Sequence, residues 1–151
     1  MNKKLKFNYY IEEKEVIRHT FELLRGDEVV CDVSIRRLYD DMVFIETIET
    51  KEEFRGRGFA KILLHHAINK FGKCVFIAEA LDESIFFWNA IKNCKFSSSE
   101  EPYQDLLIYI NYSGIKQSEK QILYRLDKIA IYDNESFDKK NYSYNSINRL
   151  I

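Results

Sequence analysis

The residues best suited to chemistry lie in one short run, Arg55-Gly56-Arg57-Gly58-Phe59-Ala60. Two glycines sit one residue apart, each behind an arginine, and an apolar helical pattern begins directly after them. The chain has only five glycines in all, so two in this run is more than ordinary loop composition. A glycine turn feeding a helix presents backbone N–H groups that have no intrahelical acceptor, and the helix dipole favours negative charge at the same place. Glycine at 56 and 58 permits positive φ and lets a ligand approach the backbone. Arg55 and Arg57 can add charge-assisted hydrogen bonds to a phosphate. The run is neither GxxxxGK[ST] nor GxGxxG, and the strand before it belongs to an antiparallel meander. Nucleoside-triphosphate and dinucleotide loops are therefore disfavoured. A plain turn with solvated arginines is the alternative reading; the coincidence of glycine spacing, arginines and helix onset favours phosphate.

The elements that must position this loop follow from hydrophobic period. Leu5, Phe7, Tyr9 and Ile11 alternate as in a half-buried strand. "HTFELL" and "EVVCDVSIRRLY" flank a turn at Gly26-Asp27; Val29, Cys31, Val33 and Ile35 share one face, Glu28, Asp32, Ser34 and Arg36 the other. Asp40-Asp41 turns the chain into the strand "MVFIETIET". From Ala60 the period changes. Ala60, Leu63, Leu64, Ala67, Ile68 and Phe71 form one helical face, ended by Gly72. "CVFIAEA" reads as a strand buried on both faces and paired in parallel across that helix. "LDESIFFWNAIKNC" reads as a second helix, capped by Asp82, with Ser84, Phe87, Trp88, Ile91 and Cys94 inward. "DLLIYINY", after the only proline, Pro102, is a last strand. Ser118 and Gln121 form a capping box for a further helix that turns Ile122, Leu126, Ile129 and Ala130 inward. No element is assigned to the polar stretch from Asp133 onward.

At 151 residues the chain suits one domain with a real core, and 46% hydrophobic residues suit a globular protein. A net charge of −1 gives no basic field and argues against nucleic acid. Cys31, Cys74 and Cys94 are odd in number, widely spaced and set in apolar runs, as expected of reduced thiols in a cytoplasmic protein. No segment approaches the ~20 apolar residues of a membrane span, and no signal peptide is read at the start. His65 and His66 fall outside the apolar stripe of their helix and are expected at its boundary. No metal site is expected.

"TIETKEEFRGRGFAKILL" resembles the acyl-CoA pyrophosphate motif of the GNAT superfamily of N-acetyltransferases, Arg/Gln-x-x-Gly-x-Gly/Ala, and "CVFIAEALDESIFFWNAIKNCKF" is similar to the family's next strand and helix. The resemblance covers about residues 17 to 111. It implies an α/β (α+β) fold: a mixed, mostly antiparallel central sheet flanked by helices, splayed where the first parallel pair meets. It also implies acetyl-CoA as co-substrate. Ile48, Glu49 and Thr50 would then line the pantetheine arm, and Arg55, Gly56, Arg57, Gly58, Phe59 and Ala60 would hold the pyrophosphate. Glu46 matches the family's acidic residue that takes a proton from the amine through water, with Glu49 as second candidate. Trp88 stands where the family commonly has an acid tyrosine, and is read as a contact for the bound acetyl-CoA. An indole cannot protonate a thiolate, which forfeits roughly 2 kcal/mol at pH 7 for a thiol of pKa about 8.5.

A second departure is the shortened N-terminal helical region, where only "EEKEVI" separates the first two strands. The domain is read as residues 1–112, with 113–151 a C-terminal extension packed on it or mediating a homodimer. The function implied is N-acetyl transfer to a primary amine on a small molecule or protein by direct attack on the thioester. A CoA-binding regulatory module without turnover, and an aminoacyl-tRNA-acetylating toxin, are the alternatives.

Overall fold

The structure, a computed structural model, describes residues 4–79, 84–96, 107–111 and 117–132. The expected Asp82 cap, the segment around Pro102 and the stretch from Asp133 onward lie outside the described residues. Among the described residues no helix is long and apolar enough to cross a membrane.

Seven strands form one sheet in the order β1-β2-β3-β4-β5-β7-β6. The strands β1 (Leu5–Glu13), β2 (Ile17–Arg25), β3 (Glu28–Tyr39) and β4 (Met42–Thr50) make an antiparallel meander. The two-residue turn between Arg25 and Glu28 closes the hairpin read at Gly26-Asp27. A 3-10 turn (Glu52–Phe54) and helix α1 (Phe59–Phe71) carry the chain over one face to β5 (Val75–Glu79), which pairs in parallel with β4. Helix α2 (Ile85–Asn89) leads to β6 (Cys94–Phe96), and β7 (Leu107–Asn111) lies antiparallel between β5 and β6. Helix α3 (Glu119–Tyr132) comes last.

Two apolar layers hold this arrangement. Ala60, Leu63, Leu64, Ala67 and Ile68 of α1 are buried against Phe21, Leu23, Val33, Ile35, Ile45 and Ile48 of the meander. Gly72 caps α1 at φ +87°, its N–H bonded to the Ile68 carbonyl at 3.1 Å. On the opposite face Met42, Phe44, Val75 and Ile77 pack with Ile122 and Leu126 of α3. The capping box is formed: Ser118 N–H donates to Gln121 Oε1 at 2.9 Å, and Gln121 N–H to Ser118 Oγ at 3.2 Å. Arg125 fixes α3 further by pairing with Asp41 at 2.6 Å. That guanidinium holds the Asp41 carboxyl below the usual carboxylate range.

Three details depart from the sequence reading. The first strand is an edge: Leu5, Phe7, Tyr9 and Ile11 are exposed, with α1 reaching only part of it, as where His66 stacks on Phe7 at 3.7 Å. A bulge in β3 pairs Leu23 with Cys31 but Leu24 with Val29, so the extra residue Val30, rather than Val29, enters the core. The second helix ends at Asn89 instead of running to Cys94: Asn93 takes a left-handed φ of +65°, which no helix continues through, and β6 begins at Cys94.

Candidate active site: a split sheet at a glycine turn

Beyond Phe54 the chain reverses through Gly56 (φ +78°) and Gly58 (φ +83°), a region where side chains with a Cβ are strained. A Cβ at either position would meet nothing within 4 Å, so the conformation and not crowding calls for glycine. The first backbone bond of α1 runs from Ile62 N–H to the Gly58 carbonyl at 3.1 Å. The N–H groups of Phe59, Ala60 and Lys61 therefore have no acceptor within the helix. They border a cleft of about 210 Å³ lined by Thr50, Gly56, Gly58, Phe59, Ala60 and Phe87, among others. Lys61 also lines it and was missed by the sequence reading. Its signal is its place in the first turn of a helix that opens on a glycine loop. The two arginines have local work: Arg55 Nε donates to the Thr50 carbonyl at 2.9 Å, and the Arg57 guanidinium lies 5.5 Å from the Phe54 ring centroid.

Strand β4 reaches this cleft at Thr50. Strands β4 and β5 pair only from Met42↔Val75 to Phe44↔Ile77, and part beyond. On its other edge β4 stays paired with β3 as far as Cys31↔Thr50, and Lys51 N–H donates to the Val30 carbonyl at 3.0 Å. Antiparallel alternation from that bond turns the backbone groups of Thr47 and Glu49 toward β3, and those of Ile48 and Thr50 toward the split. The side chains of Ile48 and Thr50 are buried, so what these residues present to the split is their main chain. Thr50 Oγ1 donates to Cys31 Sγ at 3.2 Å, which ties the end of β4 in place.

The carboxylates divide into two environments. Ser34 pairs with Thr47 but Ile35 with Ile45, so Glu46 is the extra residue of a β-bulge. Its carboxylate is buried and paired with Arg18 Nε at 3.2 Å and Arg36 Nε at 3.7 Å. Glu49, in contrast, is exposed. It lies opposite Asp32, and Asp32 opposite Glu22, making an acidic row on the face away from α1. Burial, then the charges of Glu49 and Glu22, push the Asp32 carboxyl up to about 6. Asp32 was not singled out from sequence, because its neighbours Glu22 and Glu49 come from two other strands.

Trp88 is fully buried and packs edge-on to Phe87 at 4.9 Å, and it is Phe87 that lines the cleft. Five residues of helix turn successive aromatics to different sides, which sets these two apart. Burial pushes the thiols of Cys31 and Cys94 up to about 11 and about 12, so neither is a nucleophile near neutrality. Among the described residues no group of three His, Cys, Asp or Glu is placed to hold a metal.

Comparison with known proteins gives the class. A sequence model of the acetyltransferase (GNAT) family matches residues 3–90, and the chain belongs to that family. No curated protein matches it significantly. Among solved structures it resembles the ribosomal-protein-S18-alanine N-acetyltransferase of Escherichia coli (TM-score 0.55, 13% identity, 70% of this chain and 76% of that one). It also resembles the IAA acetyltransferase of Bacillus cereus (TM-score 0.52, 13% identity, 72% and 99%). A third likeness is to N-acetylglutamate synthase of Neisseria gonorrhoeae, solved with coenzyme A and N-acetyl-glutamate (TM-score 0.51, 13% identity, 62% and 25%). At these identities the likeness is one of fold.

Proposed function

We propose that the protein transfers an acetyl group from acetyl-CoA to a primary amine. The observation that carries this reading is the parting of β4 from β5 just where the split leads to the glycine turn of α1. The turn fits a diphosphate: it is open, lined by backbone N–H groups without helical acceptors, and has Lys61 beside it. The main-chain groups of Ile48 and Thr50 suit an amide-bearing pantetheine arm, and their N–H groups would polarise the thioester carbonyl. Acetyl-CoA supplies the acyl group as a thioester. The amine nitrogen forms its bond to the acetyl carbon, the carbon–sulfur bond breaks, the amine proton passes to a carboxylate, and the thiolate takes its proton from water.

The acidic row suits an amine acceptor. A lysine-type ammonium of pKa ~10.4 is neutral about once in 2,500 at pH 7, a deficit near 4.6 kcal/mol, whereas an α-amine of pKa ~8 faces about 1.4 kcal/mol. A base therefore matters more for the first. We assign that base to Glu49 with Asp32, which face outward together; Glu46, the other candidate, holds Arg18 and Arg36 at the bulge. An aminoacyl-tRNA acceptor fits an acidic row poorly.

Thiol release from acetyl-CoA should appear with a panel of primary amines and not without them. An Asp32 carboxyl that loses its proton near pH 6 makes the rate rise as pH increases through about 6. Asp32→Asn should abolish that limb. Binding of acetyl-CoA without thiol release for any amine would favour the regulatory module instead.

A further inference from the structure

We propose that β1 pairs with β1 of a second copy, antiparallel about a two-fold axis through Tyr9, joining two seven-stranded sheets into one. Strand β1 ends the sheet, and among the described residues β2 is its sole neighbour. It runs nine residues without proline, and its pairing with β2 shows no register shift. These are the features of an unprotected edge.

The direction of its free groups can be read from one bond. Gly26 N–H donates to the Lys4 carbonyl at 3.0 Å, in the same register as Leu5↔Arg25. Alternation then turns the backbone of Lys6, Asn8, Tyr10 and Glu12 toward β2, and that of Leu5, Phe7, Tyr9, Ile11 and Glu13 outward. Strand partners must present outward residues to outward residues. A slip of one residue sets outward groups against inward ones.

Charge and apolar surface choose among the registers that remain. The strand is basic near its start, at Lys6, and acidic at its end, at Glu12 and Glu13. A parallel partner would set like beside like. Antiparallel pairing centred on Tyr9 sets Lys6 opposite Glu12 of the second copy, Phe7 opposite Ile11, Asn8 opposite Tyr10 and Leu5 opposite Glu13. All five outward residues of each copy then find partners. Moving the centre to Tyr10 sets Glu12 opposite Asn8 and leaves Leu5 and Lys6 of each copy overhanging; moving it to Asn8 sets Lys4 opposite Glu12 but Lys6 opposite Tyr10, and leaves the outward residue Glu13 of each copy overhanging. The pairing also covers apolar side chains that are otherwise open to water, Leu5 at 43%, Phe7 at 42% and Ile11 at 46%. Lys6 already lies 3.5 Å from Asp27, but both side chains are largely exposed, and such a pair competes weakly.

Sedimentation equilibrium should give twice the 18.1 kDa chain mass. Lys6→Glu and Glu12→Lys, each reversing two symmetry-related pairs, should each weaken the dimer at least about tenfold, and the double swap should restore it. Opposed residues of a hydrogen-bonded pair have Cα atoms about 5.5 Å apart, within disulfide range. Tyr9→Cys should therefore cross-link under mild oxidant and Tyr10→Cys should not, which tests the axis even if a charge variant folds poorly. A monomer at every concentration would overturn the proposal. So would a dimer indifferent to both charge reversals, or one cross-linked equally well through position 10.

Discussion

Gly58→Val will cost the protein its affinity for coenzyme A while leaving the sheet folded. At φ +83° a β-branched residue is a genuine outlier, and the surrounding space, empty within 4 Å of a Cβ, does nothing to hold it there. The turn therefore rotates to relieve the strain, and the N–H groups at the start of α1 lose their common direction. Hydrogen bonds to a charged group are worth about 1.5–3 kcal/mol each. Losing two or more weakens binding by about a hundredfold or more, read by calorimetric titration. Gly72→Val is the matched control, since Gly72 has φ +87° at the other end of the same helix. It should lower the melting temperature and spare the affinity. Equal losses of affinity in both variants would show that strain in α1, not the direction of its amides, governs binding.

The largest stability effect is expected at Glu46. Glu46→Ala leaves the Arg36 guanidinium, 8% exposed, without the carboxylate beside it. Removing one member of a buried pair costs about 3–5 kcal/mol. For a chain of this size that corresponds to a fall in melting temperature of roughly 6 °C or more. Glu49→Ala, at an exposed position, should move the melting temperature little and the acetylation rate at pH 7 much more. The outcome to set against this is a Glu46→Gln protein of normal stability whose rate falls at pH 7 and recovers at high pH. That pattern would return the base role to Glu46.

Local chemistry made much of this site legible. The glycines at 56 and 58, the apolar face that begins at Ala60 and the stop at Gly72 all act within one or two turns of chain, and each appears where the sequence puts it. What escaped depends on strand register. Nothing in "FIETIET" announces that Glu46 is skipped between Ile45 and Thr47 in the pairing with β3, yet that skip turns it toward two arginines from other strands. The bulge at Val30 is hidden in the same way. Asp32 has its proton affinity raised first by burial and then by Glu49 and Glu22, residues seventeen and ten positions away, and only the sheet brings these together. The aromatics of α2 raise a different difficulty: when a helix is five residues long, a rotation of about 100°, one residue's worth, decides whether Phe87 or Trp88 meets the cleft. Alternation in β1 marked a strand correctly, but alternation reports pairing and cannot tell an edge from an interior position.

A comparison of coenzyme A with pantetheine, which lacks the diphosphate, tests the central claim most directly. If the turn at Gly56 and Gly58 grips a diphosphate, titration calorimetry will show coenzyme A binding far more tightly than pantetheine, with the advantage shrinking as salt is raised. Equal affinities for the two, or no heat from either, would contradict it.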